Sequence, residues 1–400
     1  MSEFTKHNRR RAEGLEELFY GILKGEKLGQ LVRENQGTID GCVPADVVAV
    51  VDVLVAKKVP MAELKTGINK LLNLLHKTLT EYPYYRPDKD CYLGCLVENN
   101  RLMEKRLLAI KPLFRDVNKK ADNDYVKSEL LEKLSDLEKF GNYYTIKENL
   151  LFPVIEKYVT EYRCLQVMWS FHDDIRRNLK SAIKMLRGEL PTDMKLFNRW
   201  VGDLFFNMYA VKFREERILF PLVQSVVDED ILNDLLSESV EIGFPYYQPE
   251  IALGEESITQ ETDKKEVDLE TGILSVEQIK LLFNHLPVDI TFVDENNKVK
   301  YFSTPKKRIF PRTKSVIGRD VHNCHPPESV HVVEQIVESF RDGKKDVASF
   351  WINMRGELLL IQYFAVRDED GNYKGVVEVS QEISEIRNLK GENRLLDWEN

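Results

Sequence analysis

The sequence predicts an α+β multidomain protein: an all-α N-terminal region, a bundle of four long helices, and a C-terminal α/β domain with an antiparallel sheet. Three observations point there. Apolar residues recur at helical spacing through most of the first 226 positions. Four of those stretches, at 92–115, 125–158, 162–187 and 193–226, are long and joined by short turns, as antiparallel neighbours are. From Val288 the pattern changes to short β-rich runs divided by turn residues.

Size and charge bound the function. Four hundred residues accommodate about two to four domains. A net charge of -9 argues against nucleic acid as the main partner. No apolar run reaches the roughly 18 residues a membrane helix needs, and residues 1–6 lack an apolar export core, so a cytoplasmic protein is expected. Five scattered cysteines do not make a disulfide framework.

The elements follow in order. Residues 1–83 read as a helical domain. Leu15, Leu18, Phe19, Ile22 and Leu23 form one stripe. Pro44 and Pro60 open two further helices, because proline needs no amide partner in a first turn. The run Arg9-Arg10-Arg11 could hold an anion, but a solvated helix start is the favoured reading. The four long helices fill 88–228, and Thr192 is placed to cap the last. Within them Lys147-Glu148-Asn149-Leu150-Leu151-Phe152-Pro153 recurs as Glu215-Glu216-Arg217-Ile218-Leu219-Phe220-Pro221, 68 residues later, so two of the helices are related halves. Cys91 and Cys95 lie one turn apart near the first long helix; a lone pair is more often packing than a metal site.

The repeated Leu-Phe-Pro ending, and Val167-Met168-Trp169-Ser170-Phe171-His172-Asp173-Asp174-Ile175-Arg176, resemble the hemerythrin-like (HHE) family over about residues 90–226. That resemblance implies a bundle whose members bind two irons through about five His and two carboxylates. This chain departs from it. His172 is the only histidine between His76 and His285, and one imidazole cannot build such a site. Helical phase instead brings Tyr144, Glu148, His172, Lys212 and Glu216 together inside the bundle. Buried carboxylates need a positive partner, which Lys212 could supply. The expectation is a metal-free polar network and no di-iron site. A single metal held by Glu148, His172 and Glu216 is the alternative.

Residues 229–272 read as a linker, being charged and poor in large apolar side chains around 255–266. Residues 273–388 form the C-terminal domain and 389–400 a helical tail. Ser275 caps a helix; strands at 288–294 and 299–302 make a hairpin; a helix at 328–340 follows Pro326-Pro327; strands at 348–353, 358–367 and 374–379 close the sheet. This order, with Val293-Asp294-Glu295-Asn296, Ile317-Gly318-Arg319, Gly371-Asn372-Tyr373-Lys374-Gly375 and Gln381-Glu382-Ile383, resembles a PAS domain. The whole arrangement is similar to a family of bacterial and archaeal proteins that joins an uncharacterised helical region, a hemerythrin-like bundle and a PAS domain. That resemblance implies sensing or regulation.

Val330, Val333, Ile336, Val337 and Phe340 share one face of the helix at 328–340, so Val333 and Ile336 are expected to line a ligand pocket against the strands. Pro326-Pro327-Glu328-Ser329-Val330-His331 resembles the haem-ligating segment of haem-PAS sensor kinases, but His331 falls on the opposite face. Cys324 and His325 could line the pocket or ligate a metal; otherwise His325 caps the helix and Cys324 is simply packed. No phosphate loop, nucleophile elbow or kinase signature appears, so no enzyme is expected. The leading expectation is a sensor that binds a small ligand in its C-terminal domain and signals to a protein partner in trans, with a homodimer among the assemblies allowed. The cofactor is left open, and an iron- or haem-dependent O2, NO or redox sensor is the alternative.

Overall fold

The computed structural model describes residues 3–119, 124–249, 266–306, 308–354 and 356–391. The chain divides into two compact units, Met1–Ala252 and Leu253–Asn400.

The first unit is helical and has one continuous apolar core, from Leu15 to Phe244. Helix Glu3–Lys24 lies against Pro44–Ala56 and Met61–Glu81. Gly67 allows this approach, because a Cβ there would meet the Phe19 ring 2.3 Å away. The N-terminal helices also pack on the long ones: Pro44–Ala56 touches helix Cys164–Leu186. The expected boundary at 83–88 is therefore not a break in the core. Arg11, from the basic run, pairs with buried Asp46 at 2.8 Å and is structural.

Helix Tyr92–Lys119 packs on Asp124–Leu137, and Cys164–Leu186 on Met194–Arg214. Each of these four touches two of the others. The second runs on through Gly141–Ile146 and Phe152–Tyr158, and the fourth through Phe220–Val226. Asp193, not Thr192, caps the fourth, its carboxylate accepting from the Leu196 amide. The span read as a linker contains helix Glu229–Ile242, which packs on Tyr92–Lys119 with Leu232 and Leu235 buried. The charged part, 255–266, lies almost wholly outside the described residues.

Both repeated motifs contain a π-helical turn, Lys147–Leu151 and Glu215–Leu219. The amides of Phe152 and Phe220 donate to the carbonyls of Lys147 and Glu215, five residues back. The following prolines explain it. Pro153 and Pro221 have no N–H, and in a regular α-helix their rings would strike the carbonyls four residues earlier. Widening the turn by one residue relieves that clash and rotates the residues before it.

In the second unit β1 (Glu266–Asp268) pairs antiparallel with β2 (Ile273–Ser275). Helix Val276–His285 starts at a capping box, with Ser275 Oγ accepting from the Gln278 amide and Gln278 from the Ser275 amide. β3 (Asp289–Asp294), β4 (Val299–Phe302), β5 (Val347–Met354), β6 (Glu357–Arg367) and β7 (Tyr373–Glu382) form one antiparallel sheet in the order β4-β3-β7-β6-β5. Asp294 shapes the β3–β4 turn by accepting from the amides of Asn296 and Lys298. Helix Pro327–Arg341 packs on β6 and β7, burying Val333, Val337 and Phe340. At the end of the chain only Ser384–Arg387 is helical among the described residues, and 392–400, part of the expected tail helix, lie outside them.

Candidate functional site

The inner face of the five-stranded sheet carries buried polar residues, Asp289, Thr291 and Ser380, beside the apolar Val293, Ile361 and Val376. Strand register sets Thr291, Glu378 and Tyr363 side by side across β3, β7 and β6. Arg312 reaches Glu378 at 3.8 Å with about a tenth of either side chain exposed. Its Nε has no hydrogen-bond partner among the described residues. Arg308 lies 3.8 Å from buried Asp289, donates to the Phe310 carbonyl at 2.7 Å, and approaches Thr291 Oγ1 at 3.4 Å. Asp289 accepts from the amides of Ile309 and Phe310, yet burial holds it above the usual carboxylate range against the pull of Arg308. At the edge of this row a cavity of about 420 Å³ is lined by residues including His285, Pro287, Asp289, Arg308, Met354 and Glu382.

His325 Nδ1 donates to the Val321 carbonyl at 2.9 Å, so it closes the short turn before the helix rather than capping the helix. Burial lowers its pKa and so favours the neutral ring, and Glu378 partly opposes this. Cys324 Sγ lies 3.5 Å from the Asp320 carbonyl and packs against the core. Val333 is buried, Ile336 is half-buried against the same core, and His331 is exposed.

A second polar cluster lies at the centre of the four long helices. Glu148 is buried and accepts from Arg176 Nη1 at 2.9 Å and Nη2 at 2.8 Å. His172, fully buried, has Nδ1 2.8 Å from Glu148 and Nε2 3.1 Å from Lys147 Nζ. A carboxylate on one side and an ammonium on the other assign the proton to Nδ1 and the lone pair to Nε2. Burial, then Lys147, pull His172 down to about 3, so the ring is neutral. Burial acts to raise Glu148, but Arg176 and His172 outweigh it and leave it below its ordinary range.

Lys147 Nζ also donates to Glu215, and lies 4.5 Å from the Tyr143 ring and 4.9 Å from the Tyr144 ring. Glu215 accepts further from the Tyr143 hydroxyl at 2.6 Å and from Asn100 at 2.9 Å. Burial pulls Lys147 well below the ordinary lysine range. The abutting Glu215 carboxylate and the two ring faces favour the ammonium.

Of the residues expected here, Tyr144, Glu148 and His172 come together, with Tyr144 stacked on His172 at 4.3 Å. Lys212 and Glu216 do not join them. They pair with each other at 3.2 Å, partly exposed, and Lys212 also reaches Glu104. The expected phase assumed an unbroken α-helix, and the π turn moves Glu215 inward in place of Glu216. The sequence signal was the proline in each repeat. Among the described residues Cys91 and Cys95 are not part of a group of three side chains placed to hold a metal; Cys95 lies 3.4 Å from the Lys89 carbonyl, and burial pushes its thiol up to about 12. Among the described residues no group of three or more His, Cys, Asp or Glu side chains is placed to hold a metal. Two irons do not fit the central cluster: one imidazole is available, and the Lys147 ammonium stands between Glu215 and His172.

Residues 279–384 match the family described as PAS domain. Among solved structures, the chain is similar to a C-terminal domain from Streptococcus mutans, at 35% identity, over 32% of this chain and 98% of that one, with a TM-score of 0.31. A sensory box sensor histidine kinase from Vibrio cholerae matches at 11% identity, over 26% and 88%, with a TM-score of 0.21. The PAS domain of a protein from Colwellia psychrerythraea matches at 12% identity, over 27% and 97%, also at 0.21. No curated protein matches the chain.

Proposed function

Since residues 279–384 belong to the PAS domain family, we propose that this chain is a sensory or regulatory protein whose PAS domain takes a small polar ligand and whose helical unit contacts a protein partner. One observation carries the reading. The largely buried pair Asp289–Arg308 lines a cavity of metabolite size at the sheet, and a second such pair, Arg312–Glu378, lies at the strand next to it. Ligand sites are mostly apolar with a few convergent polar groups, and buried charged groups cluster at functional sites. A ligand bearing an acid group would meet Arg308 and Lys306, the two cations on the wall of that cavity. His331 has no part in this site.

In the same reading the four long helices are a hemerythrin-like bundle in which Lys147 and Arg176 supply the positive charge that metal supplies in relatives. Their role is then to hold a rigid docking body.

Native mass spectrometry of the full chain, with thermal shift against small carboxylic acids, amides and nucleobases, tests the ligand claim. Binding that is lost in Arg308→Gln and weakened in Lys306→Gln is expected. A chain that carries nothing and responds to none of these compounds would overturn it. A haem absorption band that disappears in His331→Ala would replace it with the haem-sensor reading.

A further inference from the structure

A separate cavity of about 420 Å³ lies in the helical unit, between helix Met61–Glu81 and the end of Met194–Arg214 with its π turn. Its wall includes Asn69, His76, Lys212, Phe213, Arg214 and Arg217. Arg214 is the unusual member. It is 6% exposed, and neither Nε nor Nη1 has a hydrogen-bond partner among the described residues. Its Nη2 donates to the Asn69 side chain, and its guanidinium lies 4.4 Å from the centre of the Phe171 ring. An amide oxygen and a ring face do not neutralise a buried cation. The neighbouring carboxylate, Glu215, is engaged by Lys147, Tyr143 and Asn100. Glu216 is on the cavity wall but pairs with Lys212.

A buried charge without a counter-charge is costly. The wall carries three cations, Lys212, Arg214 and Arg217, against one carboxylate, Glu216. His76, stacked on Phe213 at 4.8 Å, and Tyr209 give it flat apolar surface. We propose that this cavity binds a small organic anion whose phosphate or carboxylate group is held by Arg214 and Arg217, with its apolar part against the aromatic wall. The site is distinct from the one in the PAS domain, so the two stand or fall separately.

Isothermal titration of the full chain with pyrophosphate, citrate and AMP tests it. At least one probe should bind saturably and more weakly as salt rises. Pyrophosphate or AMP without citrate would assign a phosphate group; citrate alone would assign a carboxylate. Arg214→Gln should weaken binding at least about tenfold, since a charge-assisted hydrogen bond is lost. Arg217→Gln, on the partly exposed side of the wall, should weaken it several-fold and keeps the test decisive if Arg214→Gln does not fold. No saturable binding of any probe, or unchanged affinity in a folded variant, would overturn the proposal.

Discussion

Lys147 and Glu215 stand at the same place in two copies of one helical motif, 68 residues apart, and form an ion pair with both side chains fully buried. A single repeat cannot satisfy either charge. The two halves are complementary because one copy carries the cation and the other the carboxylate. The pair therefore fixes which turn of one half faces which turn of the other.

Removing one partner should expose that dependence. Lys147→Met leaves Glu215 buried without a counter-charge, and such losses cost about 3–5 kcal/mol. Adding Glu215→Gln should recover part of it, because the amide can still accept from Tyr143 and Asn100. Lys212→Met removes only a partly exposed pair and should cost at most about 1 kcal/mol. Urea denaturation followed by helical circular dichroism measures all three. Equal losses for the two lysine variants would refute the assignment of Lys147 as the central cation.

Much of this was legible in the sequence. Ser275 announces the helix it caps, and β3, β4 and the closing strands follow alternation and turn chemistry that act over a few residues. Val333 and His331 separate by helical phase because Pro327–Arg341 is an unbroken helix. The central cluster was only half legible. Helical phase reaches Tyr144, His172 and Glu148 but not Lys147 and Glu215. One inserted residue per turn shifts the inward position by about 100°, and periodicity cannot register that without attention to Pro153 and Pro221. Helix Glu229–Ile242 was hidden for another reason. Its composition is acidic, and only packing on Tyr92–Lys119 makes it a helix of the core.

The same cluster sets an acid limit on stability. His172 is held at about 3 when folded, against 6.5 as the ordinary value. Between those values the unfolded chain binds the extra proton, so stability rises with pH through the window and is fully present above about 6.5. It is lost as pH falls toward 3, at roughly 1 kcal/mol per pH unit. Glu148, lowered when folded, adds a loss of the same sign below the ordinary carboxylate range. His172→Gln should flatten the slope between about pH 4.5 and 6.5. Urea midpoints collected across that range decide it, and an unchanged slope would assign the pH dependence to other groups.

The PAS sheet depends on one glycine more than its sequence position suggests. Gly375 pairs with Asp294 of β3 and Val366 of β6, so it lies where the central strand enters the sheet. Its φ is 139°, outside the range that side chains adopt readily, and a Cβ would stand 2.1 Å from the Val293 carbonyl oxygen. That oxygen belongs to the backbone of the paired strand and cannot swing aside. Gly375→Ala must then part β3 from β7 or twist β7 out of register, at a cost of at least about 2 kcal/mol. Gly371 is the control: its φ is 80°, but nothing lies within 4 Å of the added carbon. Gly371→Ala should cost only the backbone term, about 1 kcal/mol. Hydrogen exchange of the full chain reads both, with protection of the β3 and β7 amides falling in Gly375→Ala and holding in Gly371→Ala. Equal exchange in the two variants would mean that the conformation of the turn, and not the approach of the two strands, is what Gly375 protects.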